Sequence, residues 1–226
     1  MTTYYEPAAV TQRDYSDPKW ASHCWSAVGS WLIRAATDGT AKVDPKDFAK
    51  SAGGGSGRTP GAGTQEDILL GLDHYGVKAT IVRMNRQDAT MILGSERRAV
   101  FAVATDYDQW PESESCQRTP IGPDVNHEIG IICGTPPKVM NPLCTGGDYQ
   151  SIPLATVLDA AFKYARQQGH RNLIEVVRVY RQRPAQNSVA DRALIADLRD
   201  QLDQWQEYAS QVRQHASAIL DVATPK

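Results

Sequence analysis

The spacing of apolar residues changes character along this chain, and the change limits the class of fold open to it. From His23 to Arg34, the residues Cys24, Ala27, Val28, Trp31, Leu32 and Ala35 recur at steps of three and four, so one face of a helix turns toward a core. Ser22 suits the N-cap and Asp38-Gly39 the stop, which predicts a helix over about 23–37. Residues 51–63 hold Gly, Ser and Pro60 with little apolar surface and read as a loop. Thr64 stands three residues before Asp67, a capping-box arrangement, and opens a second helix that carries Ile68, Leu69 and Leu72 to a stop at Gly76. Beyond it the apolar runs shorten. Val77 to Met84 and Ala99 to Thr105 read as strands around a helical stretch at Gln87 to Leu93. His127 to Cys133, a short run ending near Asn141, and Leu173 to Tyr180 add strands, while Leu154, Val157, Leu158, Ala161, Phe162 and Ala165 mark a helix over 153–168. Helices first and mainly strands afterwards is an α+β pattern rather than a repeating βαβ one.

With 226 residues, the length suits one domain with an appendage, and the boundary is visible. Past Tyr180 comes the polar run RQRPAQNS with Pro184, which divides residues 1–182 from residues 183–226. In the second part Ile195, Leu198, Leu202, Trp205, Ala209, Val212, Ala216 and Ile219 alternate steps of three and four, a seven-residue repeat over a long helix from about Val189 to Val222. Such a seam needs a partner: the chain's own domain, a second copy, or another helical protein meeting residues 190–222.

Charge and hydropathy remove several functions. Twenty-four Lys and Arg against 26 Asp and Glu leave a net charge of −2, which gives no footprint for nucleic acid or an anionic membrane. Neither a run of about 18 apolar residues nor a basic-then-apolar N-terminus is present, so the expectation is no membrane span and no signal peptide, with synthesis in the cytoplasm and a place there or in a virion. Cys24, Cys116, Cys133 and Cys144 contain no Cys-x-x-Cys pair and point to a reduced compartment. Cys116, His127, Cys133 and Cys144 could together bind zinc, but their spacing fits no common knuckle, and Cys133 suits a small buried hydrophobe in a strand.

One constellation carries chemistry. Cys24 lies in the first turn of a helix, where unpaired N–H groups and the helix dipole favour a thiolate. His127 opens an apolar strand and suits a general base; Asn141, before Pro142, suits a hydrogen bond that orients the imidazole. Nucleophile, base and orienting residue then form the thiol version of a catalytic triad.

At these residues the chain resembles a known family. The blocks DPKWASHCWSAVGSWL, GTQEDILLGLDHYGV, NHEIGII and VMNPLCTGGDYQSIPLATVLDAA are similar to successive blocks of papain-like cysteine peptidases of the bacteriocin-leader-processing type, over roughly residues 11 to 180. The segment TQRDYSDPKWASHCWSAVGSWL resembles peptidase modules of actinobacterial phage lysins or tail-associated proteins. The resemblance implies a helical half packed on a twisted antiparallel sheet, with Cys24 as nucleophile, His127 as base and acid, and Asn141 as orienter. It implies amide hydrolysis, with cell-wall peptide as substrate and no metal or organic cofactor. Two departures stand out. The Gln that the family places shortly before the Cys as an oxyanion donor is replaced by Asp17, Pro18 and Lys19, which leaves Gln12 and the Cys24 N–H as donors; and Trp25 stands where a Gly is common. Trp20, Trp25, Asp106, Asp108 and Trp110 are candidates for the cleft wall. The alternative is a virion scaffold module that keeps the fold without activity and oligomerises through its C-terminal helix.

The seven-residue repeat has a direct test. Deleting Asp191 to Lys226 should lower the mass of the particle seen by light scattering to that of a single chain; a full-length protein that is already monomeric would remove the self-association reading.

Overall fold

Helix α1 (Cys24–Ala36) forms where the apolar spacing places it, with Trp25, Ala27, Val28, Trp31, Leu32 and Ala35 buried. The structure is a computed structural model and describes residues 7–10, 23–55, 63–95, 99–106, 126–143, 149–170 and 172–180. The residue at the N-cap of α1 is His23, without a side-chain capping bond; Ser22 lies outside the described residues. At the other end Asp38 and Gly39 take φ of 48° and 79°, and the Gly39 N–H donates to Arg34 O at 2.8 Å. That left-handed closure is why the Asp-Gly pair ends the helix.

Helix α2 (Pro45–Ser51) was not legible from periodicity, because seven residues offer too few apolar steps. Its start signal is Asp44, whose carboxylate accepts from the Lys46 N–H at 2.8 Å, with Pro45 at the first helical position. Helix α3 (Gln65–His74) begins at the expected box: the Thr64 N–H donates to Asp67 Oδ2 at 2.7 Å and the Asp67 N–H to Thr64 Oγ1 at 3.3 Å. Gly76, with φ 71°, closes it as expected.

The remaining elements are β1 (Ala79–Met84), α4 (Arg86–Ser95), β2 (Ala99–Asp106), β3 (Asn126–Ile132), β4 (Lys138–Met140), β5 (Gln150–Ser151), α5 (Leu154–Gln167) and β6 (Ile174–Tyr180). The strands form one sheet in the order β1-β6-β2-β3-β4-β5, and every neighbouring pair is antiparallel. This is the α+β class read from the sequence. Alternate residues of each strand serve two separate cores. Val100, Ala102, Met140, Val177 and Val179 pack with α1, α2 and α3. Phe101, Val103, Ile129, Ile131 and Val176 pack with α4 and α5. The expected single helical half is thus joined by a second helical layer, and strand β2, covered on both sides, reads as an unbroken apolar run for that reason. The long helix expected over 189–222 lies outside the described residues.

Tight helix contacts set where α1 sits. The Phe48 ring is held between α1 and α3: a Cβ on Gly29 would fall 2.2 Å from it and one on Gly71 2.3 Å. Trp31 lies against Gly130 of β3, where a Cβ would come within 2.6 Å of the ring. Its indole N–H donates to the Tyr149 hydroxyl at 2.7 Å, which in turn donates to Pro7 O.

Gly71→Ala measures this packing. The ring is pinned from both sides, so overpacking of about 1–3 kcal/mol outweighs the ~1 kcal/mol that alanine gains over glycine in a helix. The urea midpoint should fall, and recover in part when Phe48→Leu is added; an unchanged midpoint would mean the ring has room to move.

Candidate active site

Strand pairing and a turn bring the predicted base and its orienting residue together. His127 stands near the start of β3, paired with Thr105 of β2, whose hydroxyl donates to His127 O at 2.9 Å. Asn141 follows β4, the next strand. Both side chains are buried, and His127 Nε2 lies 2.8 Å from Asn141 Oδ1. The amide's orientation follows from its other bonds: Oδ1 accepts from the Leu143 N–H at 3.0 Å and Nδ2 donates to Gln150 Oε1 at 3.2 Å. Oδ1 is therefore the acceptor for His127, Nε2 carries the proton, and Nδ1 is the basic nitrogen.

Cys24 meets the same stretch of chain. Its Sγ accepts from the Glu128 N–H at 3.4 Å, so the sulfur rests on the peptide that joins His127 to Glu128. Glu128 points to the opposite side of β3 from Ile129 and Ile131, toward α3, where Gln65 Nε2 donates to its Oε1 at 3.0 Å and its Oε2 at 3.2 Å. Gln65, Glu128 and Gln150 are site residues that the sequence reading missed. Gln65 was hidden as an ordinary first-turn residue, and Glu128 as a polar interruption in an apolar strand.

Burial dominates the electrostatics. The His127 imidazole is pushed down to about 4 by its loss of water, against an opposing push from Asn141. Burial pushes the Cys24 thiol up to about 12; the Glu128 N–H works against this, the Glu128 carboxyl adds to it, and the N–H groups of Trp25 and Cys24 also favour the thiolate. This corrects the expectation of a readily formed thiolate at a helix start: the helix N–H groups act in the expected direction, but desolvation outweighs them. Burial likewise lifts Glu128 to about 8, with Gln65 opposing, and lowers His23. Burial thus favours the uncharged form of all three groups.

The other expected residues fare differently. Trp25 is 1% exposed and packs on Phe48 at 6.0 Å between ring centroids, so it is a core residue and offers no cleft wall. Asp106 is committed to α5 through Lys163 at 3.1 Å and Gln167 at 2.7 Å. Gln12, Trp20, Asp108 and Trp110 lie outside the described residues, as do Cys116 and Cys144 of the zinc alternative. Cys133 is buried in the core on the α5 side, and no group of three metal-binding side chains occurs among the described residues. No helix among them is long and apolar enough to cross a membrane.

Comparison with known proteins finds likeness among solved structures. No family profile matches the sequence, and no curated protein matches it. Among solved structures, a protein from Bacillus anthracis provisionally assigned as a C39-like peptidase is similar, with a TM-score of 0.49 and 12% identity over 72% of this chain and 91% of that one.

The buried imidazole predicts an acid-sensitive fold. His127 is held below its unfolded value of 6.5, at about 4, so between those values the unfolded chain binds more protons. Its contribution is complete above pH 6.5 and is lost as pH falls through 4, an effect on the order of a few kcal/mol. Urea unfolding of wild type and His127→Gln across this window should show the acid-side slope reduced in the variant; equal slopes would mean His127 is not buried as a neutral ring.

Proposed function

We propose that this protein is a papain-like cysteine peptidase in which Cys24 is the nucleophile, His127 the general base and acid, and Asn141 the orienting residue. The observation that supports it is the buried His127–Asn141 hydrogen bond of 2.8 Å beside a sulfur seated on the adjoining peptide at 3.4 Å. The tautomer set by Asn141 leaves Nδ1 to take the proton of the Cys24 thiol. The thiolate adds to the carbonyl carbon of a peptide bond, and the carbonyl electron pair moves onto oxygen. The intermediate collapses to a thioester as the imidazolium protonates the leaving amine; Nδ1 then takes a proton from water, whose oxygen adds to the thioester carbon, and the C–S bond breaks to release the acid as the imidazolium returns its proton to sulfur.

The Cys24 N–H and the Gln12 side chain are the proposed donors to the oxyanion, a stabilisation of about 3–4 kcal/mol per donor. Cell-wall peptide is the proposed substrate, on the strength of the resemblance to phage lysin modules, with residues 190–222 tethering the peptidase to an assembly. The scaffold reading has one feature in its favour: burial disfavours the Cys24 thiolate, and the Glu128 carboxyl adds to this.

Purified cell-wall peptide fragments, incubated with wild type and Cys24→Ala and analysed by mass spectrometry, separate the two readings. Cleavage should occur and be lost in the variant. His127→Ala should abolish turnover with the near-ultraviolet circular dichroism kept, and Asn141→Ala should reduce kcat by at least about tenfold, toward the ~10⁴ known for a lost orienting residue. Absence of cleavage by wild type on every fragment would favour the scaffold.

A further inference from the structure

The reaction leaves unused the Glu128 carboxyl, on the residue whose N–H meets Sγ, and the Gln65 amide bound to it. Glu128 is 5% exposed and Gln65 8% exposed; they come from β3 and α3, so their bond ties the sheet to the helical layer that carries Cys24. Gln65 Nε2 serves both carboxyl oxygens, while Gln65 Oε1 is buried without a partner. Among the described residues no lysine or arginine pairs with Glu128. A buried carboxylate in that position carries a desolvation penalty, and the buried amide oxygen is a second cost.

Both costs vanish with one proton. A protonated Glu128 can donate its O–H to Gln65 Oε1 after a turn of the amide about its last bond, while Gln65 Nε2 donates to the other carboxyl oxygen, and every polar atom of the pair is then satisfied. As a carboxylate, Glu128 leaves Oε1 orphaned and places a negative charge near Sγ, where it opposes a second one.

We propose that Glu128 is a positioning residue for Cys24 that acts through its own proton: protonated and paired with Gln65, it keeps the 127–128 peptide N–H on the sulfur and allows the sulfur to take charge, and without the proton it repels that charge. The proposal rests on the reading of Cys24 as the nucleophile. Burial holds Glu128 at about 8, above its ordinary value, so the proton is present at neutral pH and is lost on the alkaline side. The other titratable and charged groups on the elements packed around Glu128 are few. Helix α1 carries Cys24, with buried His23 at its N-cap and Arg34 at its far end; α3 carries exposed Glu66, Asp67, which is held by Thr64, and Asp73 and His74 in its last turn. Strand β2 places Ala104 opposite Glu128, with Asp106 bound to α5; His127 is its neighbour in the chain, and β4 carries exposed Lys138.

The test reads the sulfur directly. Iodoacetamide labelling of Cys24, resolved by mass spectrometry from about pH 6 to pH 10, is compared between the full-length wild type and Glu128→Gln. The variant keeps an amide in place of the carboxyl and cannot ionise, so above about pH 8, where wild type carries the charge, its labelling should be the faster, about tenfold for each pH unit that the midpoint moves, while the two should agree near neutrality. Coincident profiles overturn the proposal. Should the variant not fold, carbon NMR of wild type labelled at its glutamate carboxyls gives the answer: one carboxyl titrating above neutrality supports it, and all titrating in the usual range overturn it. A shifted labelling profile supports the role of Glu128 whether or not cell-wall peptide is cut, so loss of hydrolysis bears on the peptidase reading alone.

Discussion

The close approach of α1 to β3 is the contact from which the site is built. Trp31 occupies the space that a side chain at Gly130 would need, and this brings the helix down onto the sheet. Cys24 is seven residues before Trp31, two turns along the same face and about 10 Å away. Glu128 is two residues before Gly130, one strand repeat and about 7 Å away. With the central contact fixed, the sulfur and the 127–128 peptide arrive at the same end of the interface. The Phe48 ring between Gly29 and Gly71 then holds α1, α2 and α3 as one layer, so that Gln65 reaches the same strand from α3.

The packing that gives this geometry also suppresses charge within it. Cys24, His127 and Glu128 all move toward their neutral forms, and in each case burial is the largest cause. Hydrogen bonds to Asn141, Gln65 and the peptide N–H groups push back, and they are the means by which the protein returns some reactivity to groups that it has dried out.

Much of the fold was legible in the sequence because its signals are local. The three-and-four spacing around Trp31, the Thr64–Asp67 box and the short apolar runs of β1, β2, β3 and β6 each express a preference that survives in the structure. Helix α2 and the two-residue β5 were too short to give a period, and the layer of α4 and α5 on the second face needed the sheet order to be seen. At the site, His127 and Asn141 came together as their types and spacing suggested. The contact between Cys24 and β3 depends on a helix crossing a strand, and the partnership of Gln65 with Glu128 spans 63 residues; neither has a local signature. The electrostatic expectation for Cys24 failed for a related reason: a sequence shows that a residue begins a helix but not what packs over it. Trp25 went to the core because a bulky ring beside Phe48 gains more from burial than from lining a cleft.

The strand order has a consequence for how the molecule is made. β6 lies between β1 and β2 in the sheet, although about 70 to 90 residues separate it from each of them in the chain. Until residues 174–180 have left the ribosome, β1 and β2 each lack the strand that joins them, and because Val177 and Val179 belong to one core and Ile174 and Val176 to the other, both faces of the sheet close only when this last strand arrives.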